Sequence, residues 1–354
     1  MSKRRNARTV SIGAVSIGGN SPVAIQSMTN TLTSDTKATL TQITALEDAG
    51  CEIVRCAVPD EESIGPFSEI CKKAPLPVIA DIHFRADLAV KAIEAGADKI
   101  RINPGNIGGE KKLKTVLESA ASNGIPVRIG VNSGSLEKDI LQKHGRPDEH
   151  ALAESMERYI GFCERAGFTD LVLSIKSTSL AETIEANRLI ARQCEYPIHI
   201  GITEAGTPQY GTVKSAIGLG TLLLDGIGDT LRVSLSGDPV REIKAAKQIL
   251  QASGARRFGP EIITCPTCAR TRMKVETIAR EVEKKVSNLK AEITIAVMGC
   301  EVNGPGEAAE ADIGIACGKK EAVLFAKGEK VKTIPRDSLL EDFLQEIQQR
   351  FGQE

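Results

Sequence analysis

Ala95-Gly96-Ala97-Asp98-Lys99-Ile100-Arg101-Ile102-Asn103-Pro104-Gly105 is the stretch that decides the fold. Its Ala-Gly pair reads as the end of an amphipathic helix over 87–95, because glycine enters the left-handed conformation of a helix C-cap without a Cβ penalty. Residues 99–102 are too few for a helix and read as a short strand. The same joint returns as Ala49-Gly50-Cys51 and as Ala166-Gly167-Phe168-Thr169-Asp170. Working outward gives eight strands, at 23–27, 52–56, 78–82, 99–102, 127–131, 171–175, 198–202 and 230–234. Helical patterns lie between them, among them 37–49, 111–123, 151–166 and 180–193, with the last at 239–252. Eight strands, each followed by a helix, is the count of a TIM-like (β/α)8 barrel. No Gly-x-Gly-x-x-Gly follows an early strand, which argues against an open doubly wound sheet.

Two domains are expected. The first, 1–254, is the barrel, with 1–20 as an N-terminal hairpin whose two strands join at Gly13 and plug the barrel from beneath. The texture changes after Ser253-Gly254-Ala255. Residues 255–354 then read as a small α+β domain, with a charged helix near 271–288, strands near 293–297, 313–316 and 322–326, and a helix from about 337.

Of the residues, 41% are apolar, enough for a sizeable core, and Trp is absent, so that core is aliphatic. A net charge of −1 supplies no field for nucleic acid and no patch for a membrane surface. The basic start (Lys3, Arg4, Arg5, Arg8) reads as a solvated tail. No apolar run has the length of a membrane span, and no secretory h-region is seen, so a cytoplasmic protein is expected. Nine cysteines in such a chain point to metal or redox chemistry rather than disulfides. Cys51, Cys56, Cys71, Cys163 and Cys194 sit in apolar segments and read as small buried hydrophobes.

Barrel enzymes place their chemistry at the C-terminal ends of the strands. Those ends carry Arg55, then Asp81 and His83, Arg101 and Asn103, Arg128 and Asn132, Lys176, Glu204, and finally Arg232 and Ser234. Five cations on one mouth repel unless an anion neutralises them, and the guanidinium fork suits phosphate oxygens. The inference is a substrate with about two phosphoryl groups. Glu204, in Gly201-Ile202-Thr203-Glu204-Ala205-Gly206, and His83 are the candidates for proton transfer. His199 reads as a barrel-interior residue, and His144 and His150 as loop surface. Lys176 also admits a rival, a Schiff-base aldolase.

In the second domain, Cys265-Pro266-Thr267-Cys268 and the later Cys300 supply three thiolates. Cys300 lies in Met298-Gly299-Cys300-Glu301-Val302-Asn303-Gly304-Pro305-Gly306-Glu307, whose glycines let backbone amides approach an anionic cluster. Three thiolates can hold an iron–sulfur cluster with a fourth ligand from Cys317 or Glu307. Zinc fits three cysteines as well, and with it a non-catalytic phosphate-ligand sensor.

Four segments together resemble the hydroxymethylbutenyl diphosphate synthase family, in its shorter bacterial form. They are Cys265-Pro266-Thr267-Cys268, the run from Met298 to Ala308, Ile25-Gln26-Ser27-Met28-Thr29, and Arg101-Ile102-Asn103-Pro104-Gly105. The resemblance implies a flavodoxin- or ferredoxin-dependent reductive ring opening of a cyclic diphosphate, on the non-mevalonate route to isoprenoids. It implies a [4Fe–4S] cluster on Cys265, Cys268, Cys300 and Glu307, and diphosphate binding by Arg55, Arg101, Arg128, Asn132, Lys176 and Ser234. It gives Glu204 the role of proton donor or stabiliser at the leaving hydroxyl. The last barrel helix ends at the face opposite the charged mouth, roughly 20 Å away at 1.5 Å per residue. A head-to-tail homodimer is therefore expected, with each cluster closing the partner's barrel.

Overall fold

The computed structural model describes residues 4–352. The chain divides into two compact units, Met1–Arg256 and Arg257–Glu354.

The first unit is the expected barrel. A hairpin of β1 (Val10–Ile12) and β2 (Val15–Ile17) precedes eight strands: β3 (Ala24–Met28), β4 (Ile53–Ala57), β5 (Val78–Asp81), β6 (Lys99–Ile102), β7 (Val127–Asn132), β8 (Leu171–Lys176), β9 (His199–Gly201) and β10 (Thr230–Arg232). They pair in parallel in the order β8-β7-β6-β5-β4-β3-β10-β9, and a bridge from Leu173 to Ile198 closes the ring. Strands buried on both faces read as nearly continuous apolar runs, which is why short runs sufficed to find them. The last two are shorter than expected. Beyond Arg232 the amide of Leu235 donates to the Glu242 carboxylate at 3.0 Å instead of continuing the ladder.

Parallel partners point to the same side, so the register fixes what fills the barrel. Met28 pairs with Arg55, Arg55 with Ile79, Asp81 with Arg101, and Arg101 with Arg128. At the lower end Ala24, Ile53, Ile79 and Val172 pack with Val10, Ile12 and Ile17 of the hairpin, which stoppers the barrel. Gly13 makes that hairpin's turn at φ +54°, a conformation costly for any residue with a Cβ.

The reading of the basic start as a solvated tail is corrected. Arg4 binds Ser21 O and lies 2.7 Å from the Asp229 carboxylate, which is 1% exposed. Arg5 binds the carbonyls of Tyr196 and Cys194. A buried carboxylate needs a paired cation, so this segment is fastened to the barrel's underside. Lys3 lies outside the described residues. His144 is also drawn in, with Nε2 2.7 Å from Glu154.

The barrel unit ends on that same underside. After the helix Val240–Ala252, Arg256 donates to Val23 O at 3.0 Å and pairs with Glu52 at 2.7 Å, both at strand beginnings.

The second unit is a five-stranded sheet in the order β11 (Glu261–Thr264), β12 (Thr294–Met298), β13 (Ile313–Cys317), β14 (Glu321–Ala326) and β15 (Glu329–Pro335). The first three are parallel and the last two antiparallel. Helices Val275–Val286 and Leu339–Phe351 cover one face through Val282, Phe343 and Ile347. Thr264 pairs with Val297, so β11 and β12 deliver Cys265 and the Gly299-Cys300 turn at neighbouring strand ends.

Candidate functional site

The barrel gathers the strand-end cations. Arg101 Nη1 lies 3.0 Å from Asp81 Oδ1, and Arg55 Nε lies 3.7 Å from Asp81 Oδ2. Arg55 also donates to the Met28 sulfur at 2.9 Å, and Arg232 reaches the same sulfur at 3.6 Å. Arg232 is held from behind by Glu242, at 3.2 Å. Lys176 stands over Gly201, where a Cβ would come within 3.0 Å of its Nζ. Arg128, 2% exposed, lies on β7 beside Arg101.

Charge balance is the notable property of this interior. Burial tends to raise the Asp81 carboxyl, but Arg55, the His83 hydrogen bond and Arg101 outweigh it and hold it well below the usual carboxylate range. Burial pushes the Arg55 guanidinium down to about 10, against the pull of Asp81. Burial, then Arg128, Arg55, Arg232 and Arg101, drive Lys176 well below the ordinary lysine range. Arg128 is pressed the same way by burial, Arg55 and Arg101, yet a guanidinium does not deprotonate in a protein. Among the described residues, Arg128 and Lys176 have no carboxylate partner. The interior therefore carries uncompensated positive charge.

His83 is half exposed beside the ring, its Nε2 3.3 Å from Asp81 Oδ2. Glu204 is exposed after β9 with φ +51°, unusual for a non-glycine residue and of the kind that collects at functional sites. Asn132 ends β7 and Ser234 follows β10, both partly buried. Asn103 caps the short helix Pro104–Ile107 by accepting from Gly105 N at 3.1 Å, and its amide donates to Ser135 at 2.7 Å. Sequence reasoning missed Glu242. It sits on a helix rather than a strand end, and its one signal was an acid in that helix's first turn.

In the second unit, Cys265 Sγ accepts from Gly299 N at 3.1 Å. Cys300 is held below the ordinary thiol range by the amides of Asn303, Val302 and Gly304, and by the Arg270 side chain. Cys268 is lowered by the Arg270 amide, helped by Thr271. These are thiolate-stabilising surroundings of the sort iron and sulfide need. Among the described residues no three His, Cys, Asp or Glu side chains stand close enough to share one metal ion. A four-iron cluster takes each thiolate on a different iron, so its ligands need not meet at one point, and the donor set fits. Cys317 is fully buried in the apolar core, where burial pushes its thiol up to about 12. Glu307 is exposed on the helical turn Gly304–Ala309 that follows Cys300.

Residues 7–247 match the family described as the GcpE TIM-barrel domain, and residues 261–349 the GcpE protein C-terminal domain. A protein of Caldanaerobacter subterraneus subsp. tengcongensis is 52% identical over 351 residues, 99% of each chain, and is named 4-hydroxy-3-methylbut-2-en-1-yl diphosphate synthase (flavodoxin). A protein of Clostridium acetobutylicum with the same name is 52% identical over 98% of this chain and 99% of its own. Among solved structures, dihydropteroate synthase from Stenotrophomonas maltophilia overlays with a TM-score of 0.52 at 16% identity, covering 70% of this chain and 99% of that one. That likeness speaks for the barrel fold alone. Among the described residues, no helix is long and apolar enough to cross a membrane.

Proposed function

The chain belongs to the GcpE family, and from that premise we infer which of its residues carry out the family's chemistry. It is an oxidoreductase of the non-mevalonate isoprenoid route, a 4-hydroxy-3-methylbut-2-enyl diphosphate synthase in activity. 2-C-Methyl-D-erythritol 2,4-cyclodiphosphate gains two electrons, breaks its ring at a carbon–oxygen bond, and loses a hydroxyl as water. The flavodoxin in its relatives' names supports flavodoxin as the electron donor, and favours this reading over an aldolase or a phosphate sensor.

The observation that carries the site assignment is the uncompensated charge in the barrel. Among the described residues, the guanidiniums of Arg55, Arg101, Arg128 and Arg232 meet only the carboxylates of Asp81 and Glu242 in ion pairs, and a substrate with two phosphoryl groups supplies the missing anion. Arg55 and Arg101, already oriented by Asp81, and Arg232, oriented by Glu242, complete the ring, with Asn132 and Ser234 donating hydrogen bonds at the strand ends. Glu204 stands at the open side, where it holds or delivers the proton of the departing hydroxyl, and His83 flanks the phosphoryl oxygens. In the second unit Cys265, Cys268 and Cys300 would hold a [4Fe–4S] cluster, with Glu307 as its exchangeable oxygen ligand. Bound there, the cluster supplies the two electrons of the ring opening. The working assembly is a head-to-tail homodimer, in which a barrel takes the cluster unit of the partner chain.

The test is anaerobic purification with iron and sulfide analysis, followed by assay with reduced flavodoxin and the cyclodiphosphate. About four iron and four sulfide per chain and steady turnover are expected. A preparation that carries one zinc per chain after attempted reconstitution, and does not turn over, overturns the reading.

A further inference from the structure

Beneath the mouth lies a cation that the reaction, as assigned above, does not use. Lys99, two residues before Arg101 on β6, is 0% exposed, and its Nζ has no hydrogen-bond partner. Following the register round the ring places it in one layer with Ile53, Val172 and Thr230. Directly above is a layer of Gln26, Ile79, Arg128 and His199, and above that Arg55, Arg101, Ser174 and Arg232. Branched aliphatic side chains usually fill such layers. Here Gln26, Arg128 and His199 also carry buried polar atoms without partners.

The charges facing Lys99 are almost all positive. Arg128 on β7 and Arg55 on β4 act on it most strongly, and His199 on β9 lies close enough to feel it. Lys176, Arg101 and Arg232 crowd the layers above. The two interior carboxylates are taken, Asp81 by Arg55 and Arg101, and Glu242 by Arg232. From below, Val10, Ile12 and Ile17 of the hairpin close the barrel, and Asp98, at the hairpin's turn, accepts from the Val78 amide at 2.7 Å. Lys99 Nζ has no hydrogen-bond or ion-pair partner among the described residues, which disfavours its charged form while the barrel is empty. Burial first, then Arg128 and Arg55, press its affinity for a proton well below the lysine range.

We propose that Lys99 is a second-layer cation switched on by the ligand, unprotonated in the empty barrel and protonated from solvent as a diphosphate seats on the ring above it. This rests on reading that ring as a diphosphate site. Arg101 sits roughly 6.5 Å further along the same strand. Two negative charges near it offset the excess positive charge that disfavours an ammonium at Nζ. One proton leaves the buffer and joins Nζ, and no bond to carbon changes. The ligand is not the proton acceptor, because each phosphorus of a cyclic diphosphate carries one strongly acidic oxygen, already ionised near neutral pH. Affinity should then fall as pH rises between the empty-barrel and liganded titrations of Lys99, by up to a factor of ten per pH unit for one proton.

The experiment is calorimetric titration of the oxidised holoenzyme with the cyclodiphosphate, without reductant, in two buffers of different ionisation heat at one pH. Buffer-dependent heats reporting net proton uptake are expected. Lys99→Met should bind about tenfold more weakly, take up fewer protons, and melt no lower than the natural protein, because it loses a buried amine without a partner. Equal heats in both buffers overturn the proposal and leave the diphosphate reading intact. Uptake that is unchanged in Lys99→Met but lost in Lys176→Met moves the proton to the ring and also overturns it. Should Lys99→Met not fold, Lys99→Arg replaces it, since a guanidinium cannot go neutral: binding with the uptake lost supports the proposal, and undiminished uptake sinks it. No binding of the cyclodiphosphate to the natural protein overturns proposal and reading together.

Discussion

At the scale of single residues, the barrel's polar interior has a cost that pH reveals. His199 is fully buried, its Nδ1 2.8 Å from Thr230 Oγ1. Burial first, then Arg128, keep its imidazole neutral far below its ordinary titration. The unfolded chain binds a proton below about pH 6.5 while the folded chain does not, so stability must fall as pH drops through that region. The expected slope is up to about 1.4 kcal/mol per pH unit from this group. Urea unfolding between pH 7 and pH 5 should show it, and His199→Gln should flatten it; parallel slopes for the two proteins would remove His199 as the cause. Arg55, Arg101 and Arg128 were legible in the sequence because each is a charge set among apolar residues in a short strand, on strands whose C-terminal ends form a barrel's mouth. Glu242, Lys99 and Arg270 were not. Glu242 reaches the ring from a helix, Lys99 sits too low on its strand to mark the mouth, and Arg270 follows the cysteine pair without any periodic signal.

At the scale of elements, chain reversals set what the cysteines can do. Gly299 closes the turn between β12 and Cys300. Its amide donates to Cys265 Sγ, and its carbonyl accepts from Arg272 N at 2.8 Å. A Cβ there would stand 2.5 Å from Val275 Cγ2, 2.9 Å from Thr271 Cγ2 and 3.4 Å from Cys265 Sγ. Gly299→Ala should therefore push Cys265 and Cys300 apart and lower iron and sulfide content severalfold, while far-ultraviolet circular dichroism stays unchanged. Natural metal content in that variant would mean the turn yields without disturbing the ligands. The strands β11 and β15 escaped the sequence reading, the first because it is half-exposed and short, the second because it is almost entirely exposed and rich in lysine, as an edge strand tends to be. The helix Pro208–Leu224 has apolar side chains on both faces, with Leu219 and Leu222 buried and Val213 and Ile217 exposed, so the 3.6-residue period that reveals other barrel helices is weak there.

At the scale of the whole molecule, connectivity is the ground for the proposed shared site. The cation ring occupies the C-terminal ends of the strands. The barrel unit ends at the other face, where Arg256 is tied to Val23 and Glu52. The helix Val240–Ala252, of 13 residues, covers about 20 Å in getting there. On the proposed head-to-tail assembly, a chain leaving from the underside gives its second unit to a neighbour's mouth, and two chains doing so reciprocally form a closed pair. The proposed dimer can be tested without a structure. Cys300→Ser removes a proposed cluster ligand and Glu204→Gln the proposed proton carrier, so each homodimer should be nearly inactive. If one barrel uses the partner's cluster, a mixed dimer contains one site with both defects and one with neither. Mixing the two variants under conditions that exchange subunits should then restore activity, approaching half of the natural value per mixed dimer. If each barrel used the cluster of its own chain, every site in the mixed dimer would keep one defect and no activity would return, and that result would discard the shared site while leaving the residue assignments standing.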